Sequence, residues 1–191
     1  MDDDTYVIME NIRYAVMNFD PNEPLWMGRH FRPYNPDGYM SGGAGYLLSR
    51  KAVEKFVVEA LHLPKDCKVK EDTGVEDGEM GKCLHAVGVK VADSRDNEGR
   101  QRFFPMSIDS HLNDQYGEKH WIWKIEWHPL QTGPACCGDY AATFHYATPG
   151  DMVTFECESH DVILINFNKL LLFNRFGLPS ETIWSNDRLY L

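Results

Sequence analysis

Apolar positions along the chain alternate between a helical rhythm and a strand rhythm. Tyr6-Val7-Ile8 is a short strand-like run, after which Ile12, Ala15, Val16 and Phe19 recur at helical spacing. Asp20-Pro21-Asn22-Glu23-Pro24 breaks the pattern, and Leu25-Trp26-Met27 starts an extended segment. Residues 33–38 form a loop leading into Tyr39-Met40-Ser41-Gly42-Gly43-Ala44-Gly45-Tyr46. The clearest helix follows: Ser49 suits an N-cap, and Ala52, Val53, Phe56, Val57, Ala60 and Leu61 make one apolar stripe that ends near Pro64. A polar loop over 65–75 precedes a second helix with Met80, Leu84 and Val87 on its inner face and Gly88 as its stop.

Val89-Lys90-Val91 is a short strand, and 97–99 is a turn. Residues 121–127 alternate at period two, which predicts a strand carrying Trp121, Trp123 and Trp127 on one face. Such a face reads first as core, although it can also stack on a sugar ring. Ala142-Thr143-Phe144-His145-Tyr146 predicts another strand. The alternation of strands and helices favours an α/β sandwich. The region after Met152 shows no interpretable pattern.

Composition narrows the function. With 191 residues and 43% hydrophobic content the chain suits one domain with an ordinary core. A formal net charge of -10 argues against nucleic acid, whose phosphates are held by Lys/Arg patches. The chain opens on acidic residues without a basic segment and apolar run behind them, so the residues alone suggest neither signal peptide nor anchor, hence cytosol and reduced thiols. The later apolar run over 162–173 is too short to span a bilayer. Five cysteines include no C-x-x-C pair, which argues against structural zinc. Adjacent Cys136 and Cys137 can be a vicinal disulfide or two thiols. A Cys67–Cys83 bridge would brace the intervening loop, and the residues do not choose between these states.

Several groups can carry chemistry. Asp2 and Asp4, at i and i+2, point the same way on an extended segment and can reach one hard cation. Held so, Mg²⁺ or Mn²⁺ neutralises a departing diphosphate. Taken alone, the run is an ordinary solvated acidic terminus. His145 can complete a carboxylate site or be a strand histidine with a hydrogen bond. Glu76-Asp77 sits where a loop meets a helix, as an N-cap, a general base for a sugar hydroxyl, or both. Ser41-Gly42-Gly43-Ala44-Gly45 lacks the lysine of a phosphate-binding loop, so its glycines more naturally let backbone approach a ligand or a neighbouring strand.

In combination, these motifs resemble the core 1 β1,3-galactosyltransferases. The resemblance is carried by Asp2-Asp3-Asp4-Thr5-Tyr6-Val7-Ile8, by Gly38 through Tyr46, and by Val75-Glu76-Asp77 running into Met80-Gly81-Lys82-Cys83. Asp93-Ser94-Arg95-Asp96 and the run from Gly133-Pro134 through Cys136-Cys137 to Phe144-His145-Tyr146 extend it. It covers residues 2–156, leaving a divergent tail over 157–191, and the family offers no partner for Cys157. It implies a GT-A fold and inverting transfer of galactose from UDP-galactose to the 3-hydroxyl of O-linked N-acetylgalactosamine on glycoproteins.

Mapped residue by residue, Asp2, Asp4 and His145 would hold Mn²⁺ or Mg²⁺, and Asp77 would be the base. Glu76, Tyr39, Trp121 and Trp123 would bind the acceptor, and Tyr146 would lie beside UDP. Cys67–Cys83 and Cys136–Cys137 would be disulfides. The family setting is the Golgi lumen, on a single-pass anchor, and a homodimer is compatible with it. The family's anchor, stem and first nucleotide-binding strands would precede Asp2, so residues 1–156 would be the later part of the catalytic domain. On that reading the chain alone transfers little galactose. Gly78 follows Asp77 where the resemblance implies an apolar residue, which would loosen the helix start. The competing expectations are a non-catalytic relative acting as a chaperone for the transferase, and a metal-dependent sugar-binding module.

Overall fold

The computed structural model describes residues 1–63, 65–68 and 75–159. The fold is mixed α/β, with helices packed around small sheets. The sheet that matters most joins β1 (Tyr6–Val7), β7 (Phe103–Phe104) and β8 (Thr143–Phe144), with β8 in the middle. β1 runs antiparallel to β8, pairing Tyr6 with Phe144, and β7 runs parallel to it, pairing Phe104 with Phe144. Carrying the β1–β8 register outward sets Asp4 beside Tyr146, and the Ala147 N–H donates to the Asp4 carbonyl at 3.0 Å.

A second sheet has β2 (Leu25–Gly28) between β5 (Tyr46–Leu48) and β6 (Lys90–Val91). A third element is the β3 (His30–Phe31) and β4 (Tyr39–Met40) hairpin. The longer helices before residue 90 are α1 (Met9–Val16), α2 (Arg50–Val58) and α3 (Glu76–Ala86), followed by the short α4 (Ile108–Leu112). The largest core cluster joins Trp26, Phe31, Met40 and Ala52 to Leu84, Val87 and Ile122. Among the described residues no helix is long and apolar enough to cross a membrane.

Ser49 caps α2 as its sequence suggests, accepting the Ala52 N–H at 3.1 Å. The stripe itself is narrower than its spacing implies. Ala52 is buried and Phe56 half-buried, whereas Val53 and Val57 are exposed and Ala60 and Leu61 belong to a separate 3₁₀ turn (Ala60–His62). The reason is packing: α2 meets β2, β5, α3 and the turn that follows it through Ala52 and Phe56, leaving Val53 and Val57 in solvent. Glu76 and Asp77 do not cap α3. The residue before it is Val75, which makes no side-chain cap bond, and both carboxylates lie in the first turn, where the helix dipole favours negative charge. Gly78 does not loosen the helix, which is continuous through it.

The predicted tryptophan strand is a short helix, α5 (Ile122–Ile125). Ile122, Ile125 and Glu126 form its inward side at i, i+3 and i+4, so seven residues of apparent alternation were also compatible with a helical face. Trp121, Trp123 and Trp127 are exposed, so they are not core. Of the region after Met152, the described residues 153–159 are helical, within α6 (Pro149–Ser159), where Phe155 stacks on Phe144 at 4.9 Å. The side chain of Cys157, the tail beyond Ser159 and the apolar run over 162–173 lie outside the described residues.

The buried polar groups include a charged pair. Arg29 and Glu126 are 0% and 4% exposed, and the Arg29 Nη2 donates to Glu126 Oε1 at 2.7 Å while Nε donates to the same oxygen at 2.9 Å. Burial pushes the Glu126 carboxyl up, and the Arg29 guanidinium opposes that shift. Nearby His111 is fully buried with neither ring nitrogen bonded, and burial together with the Arg29 charge pulls its pKa down to about 3.

Candidate metal and acceptor site

The β1–β8 pairing brings together residues from opposite ends of the described chain. Asp2 Oδ2 lies 3.3 Å and Asp4 Oδ1 3.1 Å from His145 Nε2. One ligand atom from each of the three residues can lie within 4.8 Å of those of the other two. The histidine is oriented from behind. Its Nδ1 donates to the Pro105 carbonyl at 3.0 Å, since a carbonyl can only accept, and this leaves Nε2 facing both carboxylates. A neutral imidazole in that pose turns a lone pair toward two anions, an arrangement that a cation relieves. Two carboxylates and an imidazole form a donor set suited to Mn²⁺. The Asp2 and Asp4 side chains are 57% and 43% exposed, so this side of the cluster is open, while His145 is 9% exposed. Tyr146, at φ 53°, stacks its exposed ring on His145 at 3.8 Å.

Residues 41–45 join this cluster to Asp77. The Gly42 N–H donates to Asp77 Oδ2 at 2.9 Å. Its neighbour Gly43 lies so close to the His145 ring that a Cβ there would come within 2.3 Å of it, and the Thr5 hydroxyl donates to the Gly43 carbonyl at 2.7 Å. Glycine is required at 43 by that approach. The glycines thus serve the close contact expected of them, although the partners are side chains of the site itself. The second Asp77 oxygen accepts the Gly78 N–H at 2.8 Å, so backbone donors fix both oxygens in place. Glu76 is exposed and accepts the Tyr46 hydroxyl at 2.7 Å, a contact the sequence reading missed; burial and Glu76 push the Tyr46 phenol up.

A group of aromatic side chains lies near Asp77. Tyr39 is buried, and its phenol is pushed up by that burial and by the Asp77 charge. Its ring meets Phe31 at 5.6 Å and Tyr34 at 5.1 Å, both edge-on, and Phe31 in turn meets Trp121 at 6.0 Å. Trp121 therefore joins Tyr39 through Phe31. Trp123 lies away from this contact chain: its indole N–H donates to the Gly117 carbonyl at 3.1 Å and its ring meets Tyr116.

Cys67–Cys83 and Cys136–Cys137 are both disulfides. The first ties α3 to the segment before it, and the second sits in the core beneath β7 and β8. A cavity of about 530 Å³ beside His30, Trp127, His128 and Asp93 shares no lining residue with either carboxylate cluster.

No protein-family model matches the chain. It is 43% identical over 157 residues to glycoprotein-N-acetylgalactosamine 3-beta-galactosyltransferase 1 of Xenopus laevis, across 81% of this chain and 42% of that protein. It is also 25% identical to the beta-1,3-glucosyltransferase of Mus musculus and 26% identical to that of Homo sapiens, in each case over 125 residues, 63% of this chain and 24% of the relative. The chain spans less than half the length of the curated relatives it matches. The similarity to the Xenopus protein covers four-fifths of the chain, and it places the chain in the core 1 β1,3-galactosyltransferase family.

Proposed function

We propose that the chain carries the metal- and acceptor-binding part of a GT-A glycosyltransferase. This part moves galactose from UDP-galactose to the 3-hydroxyl of N-acetylgalactosamine O-linked to glycoproteins. The observation that carries this reading is that Gly42 and Gly43, adjacent residues, touch Asp77 and His145 respectively. A general base and a cation site on either side of one backbone step suit a single displacement.

Asp2, Asp4 and His145 would hold Mn²⁺ or Mg²⁺, which supplies positive charge where a diphosphate departs. Asp77 takes the proton of the acceptor hydroxyl, whose oxygen attacks the anomeric carbon of galactose from the side opposite UDP. That C–O bond forms as the bond to UDP breaks, so the configuration inverts and no covalent enzyme intermediate is needed. The backbone donors on Asp77 hold its carboxylate at a set angle to the incoming hydroxyl. Glu76, with Tyr39 and Trp121, bounds the acceptor; Trp123 is a more distant wall, and Tyr146 lies on the donor side. Two disulfides suit an oxidising compartment, which supports a Golgi lumenal location.

Titration calorimetry with UDP, with and without Mn²⁺, tests the donor side, and an N-acetylgalactosamine peptide tests the acceptor side. The expected result is UDP binding that requires Mn²⁺ and disappears in His145→Ala. Binding of the sugar peptide with no affinity for UDP would mark a sugar-binding module instead.

A further inference from the structure

Tyr34 adopts a backbone conformation that bulky residues avoid, with φ at 78°. Such a conformation is strained and persists only where its surroundings compel it. Those surroundings are explicit. The ring lies against Gly78, where a Cβ would come within 2.7 Å of ring carbon Cδ2 and 2.8 Å of Cε2. It meets Tyr39 edge-on at 5.1 Å, and Lys82 Nζ stands 5.4 Å from its centroid. Yet Tyr34 remains 48% exposed, so core packing does not explain the strained conformation. Gly78 is also the residue whose N–H donates to Asp77 Oδ1, so the ring rests on the residue next to the proposed base.

We propose that Tyr34 is a further acceptor-binding residue, its exposed ring taking the apolar C–H face of the acceptor pyranose, and that Gly78 is what allows it to sit there. This rests on the function proposed above. An aromatic ring offers an apolar face with a polar edge, which matches a sugar presenting C–H bonds on one side and hydroxyls around its rim. Any side chain at 78 would displace the ring from α3, so the smallest residue at that position sets the shape of the acceptor side.

The test compares the purified chain with Tyr34→Ala, Tyr34→Phe, Tyr34→Gly and Gly78→Val, measuring affinity for methyl N-acetylgalactosaminide, for the corresponding glycopeptide and for UDP with Mn²⁺. Tyr34→Ala should weaken the methyl glycoside and the glycopeptide alike by roughly three- to tenfold, leaving UDP unchanged. Tyr34→Phe should bind as the parent does. Gly78→Val should weaken sugar binding, and adding it to Tyr34→Ala should cost little more. Tyr34→Gly separates binding from structure: glycine is at ease at positive φ, so its melting temperature should hold or rise while sugar affinity falls.

Unchanged sugar affinity in Tyr34→Ala overturns the inference alone. So does a loss confined to the glycopeptide, which would make Tyr34 a peptide contact, or a loss of affinity that merely follows a fall in melting temperature. A parent chain that binds UDP but neither sugar ligand overturns the proposed function, and this inference with it.

Discussion

Two charged clusters in this molecule solve opposite problems. Arg29 and Glu126 sit in the interior, where an unpaired charge is heavily penalised, and their bidentate contact leaves little charge uncompensated. The pair joins the step between β2 and β3 to the segment after α5, and backbone bonds beside it do the same: the Trp127 N–H donates to the His30 carbonyl at 3.1 Å, and the Arg32 N–H to the Ile125 carbonyl at 2.7 Å. Asp2, Asp4 and His145 sit where the β1–β8 pair ends, with two anions turned toward one imidazole nitrogen. The first cluster is complete as a structural device. The second gains from an added cation, and its exposed carboxylates leave a route for one to enter. Similar residue types thus serve fold or chemistry according to whether the protein itself completes the charge balance.

The largest expected effect falls on Asp77, the proposed base, whose two oxygens are held by the Gly42 and Gly78 N–H groups. Asp77→Asn keeps an oxygen for the Gly42 N–H but cannot accept a proton as a carboxylate can. Joined to the preceding part of the Xenopus galactosyltransferase, the variant should turn over roughly 10²- to 10⁴-fold more slowly than the parent fusion, with UDP affinity unchanged, as read from steady-state rates beside calorimetry. If Glu76→Gln proves the more damaging change, the base is misassigned.

Next comes the buried pair. Arg29→Met strands Glu126 in the interior and should cost about 3–5 kcal/mol in urea unfolding. Adding Glu126→Leu should recover most of that loss, since an apolar pair removes the stranded charge. A single substitution that costs nothing would mean that the pair does not organise the core.

The pH response should come partly from the interior as well. His111 is held neutral when folded, with its pKa near 3, but takes a proton near 6.5 when unfolded. Above 6.5 both states are neutral and the contribution to stability is constant. Between 6.5 and 3 the unfolded state binds the extra proton, so stability falls as pH falls, by about 1.4 kcal/mol per unit at the steepest. His111→Phe should flatten that part of the profile. An unchanged slope in the variant would assign acid sensitivity to other groups.

The smallest effect on stability is expected at the open cluster. Without added metal, Asp2→Asn should change unfolding free energy by no more than about 0.5 kcal/mol, as surface substitutions usually do. Mn²⁺ should raise the melting temperature of the parent chain and leave that of His145→Ala unchanged, because a ligand stabilises only the state that binds it. Equal shifts in the two would mean that the ion binds elsewhere.

Local pattern was legible wherever one element accounted for it. Ser49 announced the start of α2, Gly88 the end of α3, and Tyr6 and Val7 a strand. Where seven residues fitted two periods, as at Trp121 to Trp127, the choice lay with partners far along the chain. Glu126 reaches Arg29, and that contact favours the helical turn that points it inward. The cost of leaving such a carboxylate buried and unpaired outweighs the apolar gain of burying another indole.

By itself the sequence determined which chemistry is present: paired aspartates, a histidine, a carboxylate at a helix start, a glycine-rich run and the cysteines, in an order that one family shares. It also determined that Gly78 follows Asp77, but not that Tyr34 would occupy the space. Tertiary structure alone decided that the β1–β8 register carries Asp4 to His145, that residues 41–45 pass between His145 and Asp77, and which valines of α2 remain in solvent. The physical reason is the range over which each signal acts. Propensity, capping and period express forces within a few residues, whereas register and burial depend on which distant surfaces come into contact.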